Sequence, residues 1–127
     1  MTNQDKRWEG LTIDGELSAG VYYAGVRHKH FTLRIPMAGD IINVQIEHPE
    51  GTIHVATLAI LHKQLVSLGD IPPEALTYEL LHAELSESDL SLLSDADEAL
   101  EKKLKLPSVA AEIGDKSSTS SSGTDIN

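Results

Sequence analysis

Cysteine is missing altogether, which removes disulfides, thiolate metal sites and a cysteine nucleophile, and leaves nothing that points to an oxidising compartment. Basic residues are scarce: 10 stand against 20 acids, for a formal net charge of -10, and that balance opposes attraction to nucleic acid phosphates or anionic membranes. Neither nucleic acid nor membrane is therefore expected as a partner. The N-terminus, with Asn3, Gln4, Asp5, Lys6 and Arg7, lacks the apolar stretch of a secretory signal, and no apolar run approaches the roughly 20 residues of a membrane helix. The expectation is a soluble, cytoplasmic protein. Gly-rich phosphate loops, nucleophile elbows and paired zinc-ligand helices are absent as well, so no cofactor or catalytic residue is assigned and the chain is read as a non-enzyme.

What is present fits one domain, since 127 residues are too few for two of ordinary size. The best-marked stretch runs from Thr52 to Gly69. Thr52 suits an N-cap, Gly69 suits the left-handed residue after a helix end, and no proline lies between them. Val55, Leu58, Leu61, Leu65 and Leu68 recur at spacings of three and four, which predicts one long amphipathic helix.

Around it, residues 1 to 10 form a flexible N-terminus in which Trp8 is the one large apolar group able to fold back. Leu11, Ile13 and Leu17 make a weak strand pattern broken by Gly15. Val21 to Val26 is β-prone, and Phe31, Leu33 and Ile35 alternate with polar residues, which predicts a hairpin turning near His28 and Lys29 and closed by Pro36. Residues 40 to 47 carry two signals. Ile42, Val44 and Ile46 alternate as in a half-buried strand, whereas Gly39 and Asp40 resemble a helix start. After the turn enforced by Pro72 and Pro73, Thr77 can cap a short helix. Ser86 to Asp89 reads as a capping-box variant opening a last helix with the stripe Leu90, Leu93, Ala96, Leu100 and Leu104. The serine-rich residues 107 to 127 form a disordered tail.

The fold class is therefore α+β: an N-terminal antiparallel hairpin of two or three strands over residues 11 to 36, then three to four helices over 40 to 106. Leu58, Leu61 and Leu65 are expected to meet Leu93 and Leu100 inside it.

Six histidines raise the question of metal. His54 and His62 are eight apart on the predicted helix, rotated by roughly 80° and separated by about 12 Å, so they cannot share one ion. His28 and His30 could share a strand face but lack a third ligand; the competing reading is exposed turn histidines. Half of the acids fall between Asp70 and Glu101, with no lysine or arginine among them. Such a run either solubilises outer helix faces or, with the leucine stripes, binds a complementary helix. The residues assigned to a partner surface are His54, His62, Val66 and Leu92.

The order of pieces carries a further pointer: a strand ending Leu33, Arg34, Ile35, Pro36, then Gly39 and Asp40, a leucine-rich helix closing on Leu68, Gly69, Asp70, Ile71, Pro72, and a Leu85 to Asp89 helix start. Over roughly residues 20 to 105 this resembles the Mu-like tail assembly chaperones of tailed phages. The resemblance implies that residues 40 to 47 are helical. It also implies a non-enzymatic viral or prophage protein of the host cytoplasm that binds the helical tape-measure protein, keeps it soluble during tail morphogenesis, and is absent from the mature virion. A homo-oligomer or a frameshifted longer form of the same chain are further partners it implies. The alternative from a different class is a small structural component of the tail or baseplate.

Overall fold

Two long β-prone runs, Thr12–Tyr23 and Val26–Arg34, pair antiparallel as β1 and β2 in the computed structural model, which describes residues 6–105. A third strand, β3 (Leu65–Leu68), pairs antiparallel with the other side of β2, giving the order β1-β2-β3. Four helices complete an α+β fold: α1 (Ala38–Glu47), α2 (Ile53–Gln64), α3 (Tyr78–Glu84) and α4 (Glu87–Lys105). Among the described residues no helix is long and apolar enough to cross a membrane. The disordered tail expected over 107 to 127 lies outside them.

The hairpin turns at Ala24 and Gly25, not near His28 and Lys29. Both turn residues have positive φ, 53° and 85°, as a two-residue turn matched to strand twist demands. Glycine adopts that geometry freely, but alanine is strained there, and an Ala-Gly pair is a weak sequence signal beside Asn-Gly. Ile13 and Leu17 do not form a separate short strand; both belong to β1, an edge strand of the sheet, and Leu11 precedes it.

β1 is interrupted by a large bulge. From Glu16 to Val21 it advances five residues while β2 advances only two, from His30 to His28. The amides of Ser18, Ala19 and Gly20 consequently leave the ladder. They donate to the carboxylate of Asp89 in the first turn of α4, at 2.7, 3.0 and 2.9 Å. Asp89 was expected to complete a capping box with Ser86. Ser86 Oγ does accept from the Asp89 amide, at 3.1 Å, but the Asp89 side chain serves the bulge instead and is fully buried. Gly20 is required at this point, since a Cβ there would lie 2.8 Å from the His28 carbonyl oxygen.

The long helix predicted from Thr52 to Gly69 is two elements. Thr52 caps it as expected, its hydroxyl accepting from the Val55 amide at 3.4 Å, but the helix ends at Gln64. Residues 65 to 68 instead cover the free edge of β2. A one-residue bulge at Val66, between the pairs Leu33↔Leu65 and Thr32↔Ser67, turns the three-residue spacing of Leu65 and Leu68 into a same-face spacing. Both leucines turn inward while Val66 faces out. Gly69 has the expected left-handed φ of 54°, although it follows a strand.

One face of the sheet, with Leu17, Val21, Phe31, Leu33 and Leu68, packs with Leu58 and Leu61 of α2, Leu81 of α3 and Leu93 of α4; Leu65 lies against this cluster and Leu100 is fully buried. The N-terminus is ordered from Lys6, in a short 3-10 turn closed by the Leu11 amide donating to the Trp8 carbonyl at 2.8 Å. This narrows the expected flexible segment, whose first five residues lie outside those described.

Removing the Asp89 carboxylate strands three amides, so Asp89→Ala should cost on the order of 3–5 kcal/mol in urea unfolding. Burial works against ionisation of Asp89, but the hydrogen bonds from Gly20, Ser18 and Ala19 outweigh it and hold its pKa below the ordinary value. A depressed folded pKa gives a contribution that is complete above the ordinary carboxyl range and lost as pH falls through it. The urea midpoint of wild type should accordingly drop below about pH 4, and Asp89→Asn should flatten that acid limb. In the turn, Ala24→Asn should raise stability by about 0.5–1 kcal/mol; an unchanged midpoint would contradict the strain assigned to Ala24.

Candidate functional site

The polar groups inside this fold are engaged with one another. Arg34, at the end of β2, donates from Nη1 and Nη2 to Asp40 of α1 at 2.8 and 3.2 Å, and also to the carbonyls of Ile35 and Lys63 at 2.8 and 2.7 Å. Asp40 additionally accepts from the Met37 amide at 2.8 Å, which fixes the start of α1. Burial opposes its charge, yet the hydrogen bonds from Arg34 and Met37 and the charges of Arg34 and Lys63 hold its pKa below the ordinary value. Gln64, the last residue of α2, donates to the Arg34 carbonyl and to Asp97 of α4, both at 2.9 Å. One arginine and one glutamine thus tie β2, α1, α2 and α4 together.

His28 is buried with both ring nitrogens occupied. Nε2 donates to the Tyr23 carbonyl at 3.1 Å and Nδ1 accepts from the Asp70 amide at 3.2 Å. No lone pair is left for a metal, which overturns a His28–His30 chelate and also the reading of His28 as an exposed turn residue. His30 is exposed and meets Glu16 at 3.3 Å. Among the described residues no group of three or more His, Asp or Glu is placed to hold a metal ion.

A cavity of about 450 Å³ lies where the N-terminal turn folds back, lined by Arg7, Trp8, Leu11, Arg34, Ile35 and Met37. The Trp8 ring lies 4.8 Å from the Arg7 guanidinium and 4.7 Å from that of Arg34. The Nη groups of Arg34 are engaged with Asp40 and two carbonyls, and Trp8, Leu11, Ile35 and Met37 make most of the recess apolar.

The four residues assigned to a partner surface lie on three elements. His54 is exposed near the start of α2 and Val66 is 50% exposed on β3. His62 is half-buried, its Nε2 donating to the Leu76 carbonyl at 2.8 Å, and Leu92 is half-buried against the core from α4. His62 and Leu92 therefore already have intramolecular work, whereas His54 and Val66 are open to a partner.

A more concentrated apolar surface lies on α1. This helix buries Val44 alone, while Ile42 is 55% and Ile46 70% exposed, and Ile53 at the start of α2 is 77% exposed. Each of Ile42 and Ile46 is two residues from Val44, which in a helix rotates it by roughly 160° to the opposite side and stacks the two isoleucines one turn apart. As a strand, the same three residues would have shared one face. The helical outcome explains both the ambiguous pattern and the surface, because α1 is tied down by Asp40 at one end and Val44 in its middle. β-Branched residues are also weak helix formers, so isoleucine on an outer face gains nothing from the helix itself. The polar residues that flank it on the helix are the uncharged Asn43 and Gln45, whereas Glu47 pairs with Lys63 of α2 at 3.3 Å. Helical periodicity applied to residues 41 to 47, which the resemblance implies are helical, places Ile42 and Ile46 on this face.

No protein-family model matches the chain, and neither the curated proteins nor the solved structures contain a significant match to it.

Because Ile42 and Ile46 make no essential internal contact, Ile42→Gln and Ile46→Gln should each change stability by less than about 0.5 kcal/mol. Val44→Gln should cost more than about 2 kcal/mol, and Leu61→Asp, which puts a charge at a buried position, should leave no cooperative unfolding transition. Urea denaturation followed by circular dichroism checks all four.

Proposed function

We propose that this protein is a non-enzymatic tail assembly chaperone that binds a helical tape-measure protein and keeps it soluble until the tail is built. The observation that carries the reading is the exposed pair Ile42 and Ile46 on α1, with Ile53 also exposed at the start of α2, in a chain of formal net charge -10. Each isoleucine contributes about 1.5–3 kcal/mol when fully covered, so three make a useful site for an apolar helix face. The charge of the chain then keeps the complex in solution. Two further features support the reading: the element order from Leu33 to Asp89 resembles that chaperone family, and the buried side chains of Asp89, Gln64 and His28 and the half-buried Arg34 and Asp40 are engaged in holding the fold. A host-cytoplasmic protein absent from the finished virion follows from the same reading.

A second reading has its own support. β3 is a four-residue strand at the sheet edge with Val66 facing out, a place where another chain can add a strand, as a structural component of a tail or baseplate would.

Co-expression with the tape-measure protein tests the first reading: its soluble yield should rise and the two should co-purify, and an unchanged yield with no complex rejects it. Mass spectrometry of purified virions separates the two readings, since stoichiometric incorporation supports the structural component and absence the chaperone.

A further inference from the structure

We propose that the apolar recess beside Trp8 is the docking site of this chain's own segment from Leu106 to Ile113, which follows α4.

The path of α4 brings that segment to the recess. Asp89 starts the helix against the β1 bulge at Ser18 to Gly20, and near its end Lys103 donates to the carbonyl of Thr12, the first residue of β1, at 3.2 Å. The helix runs back along β1 and delivers the chain to the start of that strand, next to Leu11. Leu11 is one wall of the recess, and its carbonyl accepts from the Ile35 amide at 3.1 Å, so Ile35, a second wall, lies at the same end of the sheet. Eight extended residues span up to roughly 26 Å, which takes the segment to the recess with chain to spare.

Composition selects the occupant. Trp8, Leu11 and Ile35 are half-buried and Met37 is 46% exposed, which leaves the cavity of about 450 Å³ partly open and largely apolar. Leu104, one turn past the fully buried Leu100, is 40% exposed, so the apolar stripe of α4 continues uncovered to the helix end. Leu106, Pro107, Val109, Ala110, Ala111 and Ile113 extend that apolar character as far as Gly114, before the serine-rich run begins. The other end of the chain near the recess, residues 1 to 5, offers Met1 alone among Thr2, Asn3, Gln4 and Asp5. Tethering adds to the preference, because a segment joined through a short connection acts at an effective concentration on the order of millimolar, which a free peptide or a second copy must match. An outside apolar peptide therefore reaches this recess only by displacing the segment.

Trp8 is the single tryptophan of the chain, so its fluorescence reports on the recess directly. The test compares the emission maximum and acrylamide quenching of the full chain with those of the full-length double variant Val109→Asp, Ile113→Asp. A tenfold preference for the docked state leaves about one recess in eleven open, so the double variant should shift the emission to the red and raise the quenching constant about twofold or more. It should still unfold cooperatively in urea. The variant Ser118→Asp, Ser121→Asp, which adds the same charge beyond Gly114, should read as wild type. A peptide of residues 106–115, added to the Val109, Ile113 double variant, should restore the wild-type emission saturably, and the same peptide carrying both aspartates should not. Equal quenching in wild type and the Val109, Ile113 variant overturns the proposal, as does a peptide that leaves the emission unmoved. Equal effects of the two double variants assign the change to charge and overturn it too. Protection of Trp8 that falls on dilution of wild type overturns docking within one chain in favour of the segment of a second copy.

Discussion

Three consecutive amides of β1 leave their ladder at the bulge, and a single carboxylate receives them. A β-bulge of this size would ordinarily expose its freed donors to water, but here they are covered by α4, and only a charged acceptor with two oxygens could satisfy all three. Asp89 therefore fixes where α4 begins relative to the sheet. From that point Leu93 falls over the core and Leu100 is buried two turns further on, while Lys103 reaches the Thr12 carbonyl at 3.2 Å beside the start of β1. The long helix lies along β1 because it is pinned near both ends.

Arg34 and Gln64 play the corresponding role at the end of β2. Arg34 collects one carboxylate and two carbonyls, and Gln64 bridges the Arg34 carbonyl to Asp97. These contacts specify geometry where apolar packing alone would permit sliding, since hydrogen bonds are directional and hydrophobic contact is not. They also leave α1 held by its first turn and by Val44, with its remaining surface uncommitted. The apolar exposure of α1 is thus a product of how it is anchored.

Local chemistry was legible wherever it acted over a few residues. Thr52 and Thr77 cap the helices they announce, Ser86 receives the Asp89 amide, and Pro36 follows the end of β2. The elements that misled were those settled by distant partners. Leu65 and Leu68 satisfy a helical stripe and a bulged strand equally well, and the vacant edge of β2 decides between them. Ile42, Val44 and Ile46 satisfy strand alternation as well, but here the helix implied by the resemblance forms, started by the tie between Asp40 and Arg34. Asp89 has the right spacing for a cap, and its use by residues 71 positions away has no local trace. Of the four residues assigned to a partner surface His54 and Val66 are exposed, and Ile42 and Ile46, which were not assigned, are exposed too because Val44 alone of α1 is buried.

The junction of α2 and β3 has a mechanical meaning. Helix passes to strand between Gln64 and Leu65 with no intervening residue, and Gln64 is itself held on both sides. A loop at this point would absorb rotation of the helix; a direct junction cannot. α2 and β3 therefore form one lever, with Ile53 at its free end and the hydrogen-bonded edge of β2 at its fulcrum. A load placed on α2 reaches the sheet through Gln64 and Leu65, which couples the opening of α2 to that of β3.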